Sequence, residues 1–144
     1  RVFDRRGAFR QTLKELHSGR DVALLFDQNV TRNHAVFVDW FGRPAATSRA
    51  IALAALRTKA IALVASLSGL EGGRYRMNVI ECNFDDIYQD LSLNDSQKIE
   101  RITQKLADAY CQLIRQNPEG WFWMHRRWKT TPSDQVAEDF YREL

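Results

Sequence analysis

The strongest constraint on the fold is a long amphipathic helix predicted over residues 94–118. Ser96 can cap its first turn, and Pro118 ends it. Apolar side chains recur at helical spacing and form one stripe: Ile99, Ile102, Leu106, Tyr110, Leu113 and Ile114. Such a stripe has to be buried against another layer, so we expect the rest of the chain to pack along this helix.

Two shorter runs, DVALLF (21–26) and AIALVASL (60–67), are almost entirely apolar. A run that is apolar on both faces is typical of a buried parallel strand. The segments 34–42 and 74–81 alternate in the way that half-exposed strands do. We therefore predict four strands, with residues 21–26 at the centre of a parallel sheet.

Helices are predicted before and between these strands. Residues 7–19 carry apolar side chains at helical spacing, and Gly19 is placed to end this helix. The alanine-rich segment 43–60 is also typical of a helix, with Thr47 or Ser48 as its N-cap. The order of elements, α-β-β-α-β-β-α, predicts an α/β fold with a mostly parallel central sheet flanked by helices.

The composition is that of one globular domain spanning residues 1–144, with 44% hydrophobic and 27% charged residues. Cys82 and Cys111 do not have metal-ligand spacing, and two lone thiols are typical of a reducing compartment. We therefore predict no metal site. No stretch reaches the ~18–20 uninterrupted apolar residues that a membrane span needs, and the charged N-terminus is not a signal peptide.

Charge is distributed unevenly, although the net charge is only +3. Residues 1–20 carry six basic and two acidic side chains, whereas residues 81–95 carry five acidic and no basic ones. This distribution has two interpretations: an anionic partner that meets one face, or a solvated surface with chance clustering.

Asp27 directly follows the predicted strand 21–26. Ligands of open α/β sheets bind at the carboxyl ends of strands, so Asp27 is a candidate for substrate binding; the alternative is a residue that only caps a turn. His34 and Asp39 have a spacing that suits a His–carboxylate dyad with the imidazole as general base. A strand would place them on opposite faces about 17 Å apart, so we reject this pair.

Residues 117–129 (NPEGWFWMHRRWK) form the most specific stretch. Its tryptophans can cover an edge of the core, since each large aromatic buries about 150–250 Å². Arg126 and Arg127 follow, and the planar guanidinium suits bidentate recognition of phosphate or carboxylate. Two other interpretations remain: the arginines can pair with the acidic residues 85–95, or the interleaved aromatic and basic side chains can bind single-stranded nucleic acid.

Three segments, in this order, resemble the C-terminal portion of the lipid A biosynthesis acyltransferase family, a branch of the lysophospholipid acyltransferase superfamily. They are LKELHSGRDVALLFDQN, VFVDWFGRPAATSRAIALAALRTKA and NPEGWFWMHRRWK. The resemblance extends from about Gly7 to Thr130. Each segment is weakly specific alone, whereas three in the right order are fairly specific.

The resemblance implies transfer of a fatty acyl chain from an acyl-carrier-protein thioester to a hydroxyl of a lipid A precursor, without a metal or organic cofactor. It implies a partial acyltransferase-type α/β fold and a parent enzyme at the cytoplasmic face of the inner membrane. The expected partners are acyl carrier protein, an anionic glycolipid acceptor and, through the parent protein, the membrane surface. Nucleic acid is not expected.

In this family the catalytic His-x4-Asp/Glu dyad precedes the loop that matches Asp27. The resemblance therefore implies that the dyad and a membrane helix lie upstream of the first residue. The chain is then expected to be a soluble C-terminal part, inactive alone and without a catalytic residue of its own. The substrate-binding residues that the resemblance implies are Asp27, Gln28, Arg6, Arg126 and Arg127.

Other functions stay open. The same resemblance fits an acyltransferase for another glycolipid, such as a phosphatidylinositol mannoside, or a degenerate relative that only binds lipid. A different class is a basic single-stranded nucleic-acid-binding domain that uses Trp121, Trp123 and Trp128 as stacking platforms. Burial of the tryptophans distinguishes the classes, because a stacking platform has to be exposed whereas a core residue unfolds the domain when it is truncated.

Overall fold

A computed structural model describes residues 2–3 and 7–132, in which two small antiparallel sheets pack with four helices. In chain order the elements are α1 (Ala8–His17), β1 (Ala35–Trp40), β2 (Arg43–Ser48), α2 (Ala50–Thr58), β3 (Ala62–Leu70), β4 (Arg74–Cys82), α3 (Asp85–Gln89) and α4 (Asp95–Gln116). Single 3₁₀ turns lie at Arg32–His34, Glu71–Gly73 and Pro118–Gly120.

The predicted long helix is confirmed as α4, and it is the element on which both sheets pack. Its N-cap is Asn94 rather than Ser96. The Asn94 side chain accepts a hydrogen bond from the Gln97 backbone N–H at 3.0 Å, and the Gln97 side chain accepts one from the Asn94 N–H at 2.9 Å. This reciprocal capping box satisfies two backbone donors that the first turn leaves without helical partners. Ile102 and Leu106 from the predicted stripe are fully buried.

The hairpin of β1 and β2 corrects the predicted helix over residues 43–60, because only its second half is helical. Phe41 and Gly42 connect the two strands, with φ of 57° and 82°. Positive φ at both central residues defines the tight turn whose twist matches antiparallel strands. The Asp39 carboxylate supports this turn by accepting the Gly42 N–H at 3.0 Å. Residues 43–48 are therefore paired along β1 instead of coiling into a helix.

The predicted strands 60–67 and 74–81 are confirmed as β3 and β4, which pair in an antiparallel hairpin closed by the 3₁₀ turn at Glu71–Gly73. One face packs towards α4 through the buried Val64. The opposite face is exposed and carries large apolar side chains, including Leu63 and Met77. The sequence predicts two apolar faces only for residues 60–67, and in the structure the exposed face is apolar on β4 as well. Only one face of the hairpin is covered by described residues.

The predicted mostly parallel central sheet is wrong for the described residues, where both sheets are two-stranded and antiparallel. The reason is the length of the connections: two or three residues can join only antiparallel neighbours, whereas a parallel pair needs a crossover of a dozen or more. Residues 21–26 form no strand, and of their large apolar side chains only Phe26 is buried. The broader prediction of an α/β chain is confirmed.

The core is centred on Trp40, which is completely buried and is surrounded by other aromatic rings. Its ring centroid lies 6.1 Å from Phe26, 5.5 Å from Tyr110 and 6.1 Å from Trp121. These rings come from four separate parts of the chain, so the cluster joins the segment before residue 27, β1, α4 and the segment after Pro118. Within the described residues, no helix is long and apolar enough to cross a membrane.

Candidate functional site

Asp27 begins a short loop that rests on the aromatic core. Its carboxylate accepts a hydrogen bond from the indole N–H of Trp121 at 3.0 Å. Tyr110 is a second neighbour: burial, followed by the adjacent Asp27 carboxylate, which disfavours a second negative charge, raises the pKa of Tyr110 to about 12. Because Phe26 packs against Trp40 immediately before the loop, the start of the loop is anchored from both sides.

Asn29 fixes the other end of this loop to the segment after the long helix. Its side-chain N–H donates to Thr130 Oγ1 at 3.0 Å, and its carbonyl oxygen accepts the Thr130 backbone N–H at 3.1 Å. The Asn29 backbone N–H donates to Nε2 of His125 at 3.3 Å. The loop 27–29 is therefore held by three residues that lie about a hundred positions away in the chain.

Arg127 secures the same segment from inside the protein. It is 0% exposed, and its guanidinium carbon lies 4.3 Å from the ring centroid of Trp40. One terminal nitrogen donates to the Ala46 carbonyl oxygen at 2.7 Å, and the other donates to the Thr47 hydroxyl. The guanidinium thus ties the segment to β2.

The remaining predicted site residues differ in where they lie. Gln28 is exposed at the apex of the loop, between the two residues that anchor it. Arg126 is exposed as well, and it follows His125, which bonds to the loop. Arg6 lies outside the described residues. The structure therefore brings Asp27 directly against the 121–130 segment through its hydrogen bond to Trp121. Gln28 and Arg126 are the chain neighbours of Asn29 and His125, which are hydrogen-bonded to each other.

Two carboxylates of the acidic stretch 81–95 pair with cations of α4. Lys105 contacts Asp86 at 2.7 Å, and Arg101 contacts Asp90 at 3.4 Å, so both carboxylates meet cations of α4. The hydrogen bond from Lys105 lowers the pKa of Asp86, and hydrogen bonds from Ser92 lower that of Asp90. These pairs lie within one surface of α3 and α4.

Other groups that can carry chemistry have structural surroundings. Asp39 supports the β1–β2 turn, while His34 lies just before β1 in a 3₁₀ turn. Burial is the main cause that raises the pKa of the Cys82 and Cys111 thiols, which disfavours a thiolate nucleophile at neutral pH. Among residues 2–3 and 7–132, no group of three or more His, Cys, Asp and Glu side chains is placed to hold a metal ion.

An open apolar cavity of about 450 Å³ lies beside this site. Residues 22–26 line one side and residues 60–65 the other, with Ile51, Ala54 and Tyr110 among the residues that complete it. The backbone of residues 21–26 makes no hydrogen bond to another described residue, and β3 pairs only with β4. Leu25 and Leu63 are exposed at its rim. The cavity is therefore bordered by the free edge of β3 and by a segment whose backbone pairs with no described strand.

Sequence reasoning missed the residues that hold the loop. Asn29 is not among the predicted site residues, yet its side chain makes two hydrogen bonds to Thr130. The partner of the Asp27 carboxylate is the indole N–H of Trp121, whereas the sequence predicts Trp121 either to cover the core or to stack on a base. A signal was available, because a buried tryptophan needs an acceptor for its N–H and Asp27 is the acid that ends an apolar run.

Comparison with known proteins identifies the family of this chain. Residues 1–130 match the family model described as Bacterial lipid A biosynthesis acyltransferase. The match includes the Asp27 loop and the segment that holds it. It ends at Thr130, as the resemblance predicts, and it begins six residues before the predicted start at Gly7. No curated protein matches the chain. The chain therefore belongs to the bacterial lipid A biosynthesis acyltransferase family.

Proposed function

We propose that this chain is the substrate-positioning part of an acyltransferase that moves a fatty acyl chain from acyl carrier protein to a hydroxyl of a lipid A precursor. One observation carries the proposal: the loop 27–29 is fixed to the 121–130 segment by hydrogen bonds at both ends, while Gln28 between them faces solvent. A rigid loop with an exposed polar apex suits a site that has to position a polar acceptor.

Each residue has a distinct role in this proposal. Gln28 and Arg126 contact the acceptor, with the guanidinium of Arg126 on a phosphate group. Asp27 orients the loop through Trp121 and contributes its second oxygen to the acceptor. Arg127 is a positioning residue, because its guanidinium is buried against Trp40 and holds the segment that carries Arg126.

The reaction needs a general base, which we propose is the histidine of a His-x4-Asp/Glu dyad supplied by upstream sequence of a longer parent protein. The base takes the proton of the acceptor hydroxyl, the oxygen forms an ester bond to the acyl carbon, and the thioester C–S bond breaks. The proton then passes to the leaving thiolate. No metal or organic cofactor takes part in the proposed reaction. The open cavity between residues 22–26 and 60–65 supports an upstream part, because unpaired backbone there can accept another strand.

The parent enzyme in this proposal works at the cytoplasmic face of the inner membrane, with acyl carrier protein and an anionic glycolipid as partners. Another glycolipid acceptor fits the same loop geometry and stays the alternative. For the nucleic-acid interpretation, burial removes one of the three proposed stacking platforms, because Trp121 is 8% exposed and forms part of the core, whereas Trp123 is 52% exposed. A buried ring cannot stack on a base.

The test is an acyl-transfer assay on the gene product read from its own start codon, with acyl carrier protein thioester as donor and a lipid A precursor as acceptor. Arg126→Ala is expected to lower kcat/KM for the acceptor by about 10–100-fold, and Gln28→Ala by about 2–10-fold, since these are the effects of losing charged and neutral hydrogen bonds. The matched control is Arg76→Ala, an exposed arginine on β4.

The donor provides an internal comparison, because the KM for the acyl carrier protein thioester should change by less than the KM for the acceptor. Wild-type values in both loop variants would refute the assigned roles. Tight binding of single-stranded DNA that weakens steeply with salt would instead support the nucleic-acid alternative.

A further inference from the structure

The tip formed by Phe122, Trp123 and Met124 is an exposed apolar surface that acyl transfer does not explain. Their side chains are 67%, 52% and 85% exposed, although they are consecutive in the chain. Soluble proteins seldom present large apolar side chains together without a partner for them. A core function explains Trp121 but leaves these three residues without a role.

The tip is held firmly by the protein beneath it. The indole N–H of Trp123 donates to the Pro118 carbonyl oxygen at 2.6 Å, and its ring stacks on Phe41 with centroids 6.5 Å apart. The ring also meets Trp121 edge-on at 4.5 Å. Successive turns, in which the His125 N–H donates to the Phe122 carbonyl oxygen at 3.2 Å, present the tip outward. Little conformational entropy is therefore left to lose when the tip meets a partner.

Exposed charges around the tip are mainly positive. Arg115, Arg126 and Lys129 are exposed cations, and Glu119 is the exposed anion in the same stretch, which gives three positive charges against one negative charge, or +2. Arg115 is close to the tip in space, because its guanidinium lies 5.1 Å from the Phe41 ring that stacks on Trp123. Apolar and aromatic side chains beside cations are the composition of surfaces that bind anionic membranes.

We propose that the Phe122–Met124 tip docks this chain onto an anionic lipid bilayer. The Phe122 and Met124 side chains enter the boundary between headgroups and acyl chains, Trp123 lies at the headgroup level, and Arg115 and Lys129 contact lipid phosphates. Since His125 bonds to Asn29, this contact places the loop 27–29 beside the lipid surface. The docking stands independently of acyl transfer, because it is measured without acyl donor or acceptor.

The test measures partition of the 144-residue chain between water and phosphatidylglycerol–phosphatidylcholine vesicles by co-sedimentation. Phe122→Ser with Met124→Ser is expected to weaken partition at least tenfold through lost apolar burial. Arg115→Gln with Lys129→Gln is expected to weaken it roughly 25-fold, about fivefold for each charge. Leu91→Ser is the matched control, because Leu91 is 95% exposed but lies in the acidic stretch 81–95.

Circular dichroism verifies that each variant folds. We expect folding to be retained, because the substituted apolar side chains are exposed. Wild-type partition that is lost in both double variants, falls with added salt and persists in Leu91→Ser establishes the docking. The proposal is overturned by equal binding to pure phosphatidylcholine vesicles, by equal losses in Leu91→Ser and the tip variant, or by no vesicle binding at all. Saturable binding to acyl carrier protein without vesicle binding would assign the tip to a protein partner and would also overturn it.

Discussion

Replacement of Arg127 by methionine separates a positioning role from a substrate-binding role. Methionine keeps an unbranched apolar stem but removes the guanidinium that lies 4.3 Å from the Trp40 ring and donates to Ala46 and Thr47. Both acceptors belong to β2, where they are buried. If the guanidinium holds the segment in place, the variant loses stability before any substrate is present.

The expected loss follows from opposing contributions. Two hydrogen bonds from a charged donor stabilise by about 1.5–3 kcal/mol each, and a desolvated cation over tryptophan contributes about 2 kcal/mol. Relief of the cost of burying the charge offsets several kcal/mol of this. We therefore expect Arg127→Met to lower the free energy of unfolding by about 2–4 kcal/mol.

Urea denaturation followed by tryptophan fluorescence measures this loss. A change of that size moves the midpoint by roughly 1–2 M at a slope of about 2 kcal/mol per molar urea, within the usual range of about 1–3. Arg126→Ala is the neighbouring control and should stay within about 0.5 kcal/mol of the wild type, because its side chain is exposed. An Arg127→Met variant of wild-type stability that has lost acyl transfer would refute the positioning role and would assign Arg127 to substrate.

Two further predictions concern the neighbours of Asp27. Trp121→Phe keeps an aromatic ring in the core but removes the N–H that donates to Asp27 at 3.0 Å, so we expect the free energy of unfolding to fall by about 2–3 kcal/mol. Urea titration measures this loss, and an unchanged midpoint would contradict the contact. Tyr110 should ionise at about pH 12, seen as a late step in absorbance at 295 nm that Tyr110→Phe abolishes. Because the unfolded chain releases this proton near pH 10, the contribution of Tyr110 to stability is complete below pH 10 and is lost as the pH rises towards 12.

Local patterns predicted the elements whose own residues decide their structure. The stripe of α4 and the alternation of β4 are visible in the sequence because their periods of 3.6 and 2 follow from backbone geometry. Residues 43–48 were mispredicted because their small side chains suit a helix as well as a strand. The positive φ at Phe41 turns them back along β1, and a bulky residue in that conformation is uncommon.

The segment 21–26 was mispredicted for a different reason. An apolar segment becomes a strand only when a neighbouring strand pairs with it. None of the described strands pairs with residues 21–26. A strand is a property of a pair, because its hydrogen bonds lie on a neighbour rather than within the segment. Composition alone therefore cannot distinguish a paired strand from the irregular side of an open cavity.

The sequence by itself determined the family, the long helix, the strand character of β3 and β4, and the candidate status of Asp27, but not the antiparallel pairing of the two strands. Only the tertiary structure decided that Arg127 is buried while Arg126 is exposed, and that Trp121 and Asn29 hold the loop. The physical reason is distance along the chain. Asp27 and Trp121 are 94 positions apart, so no local periodicity relates them, and their contact exists only because the core brings their aromatic neighbours together.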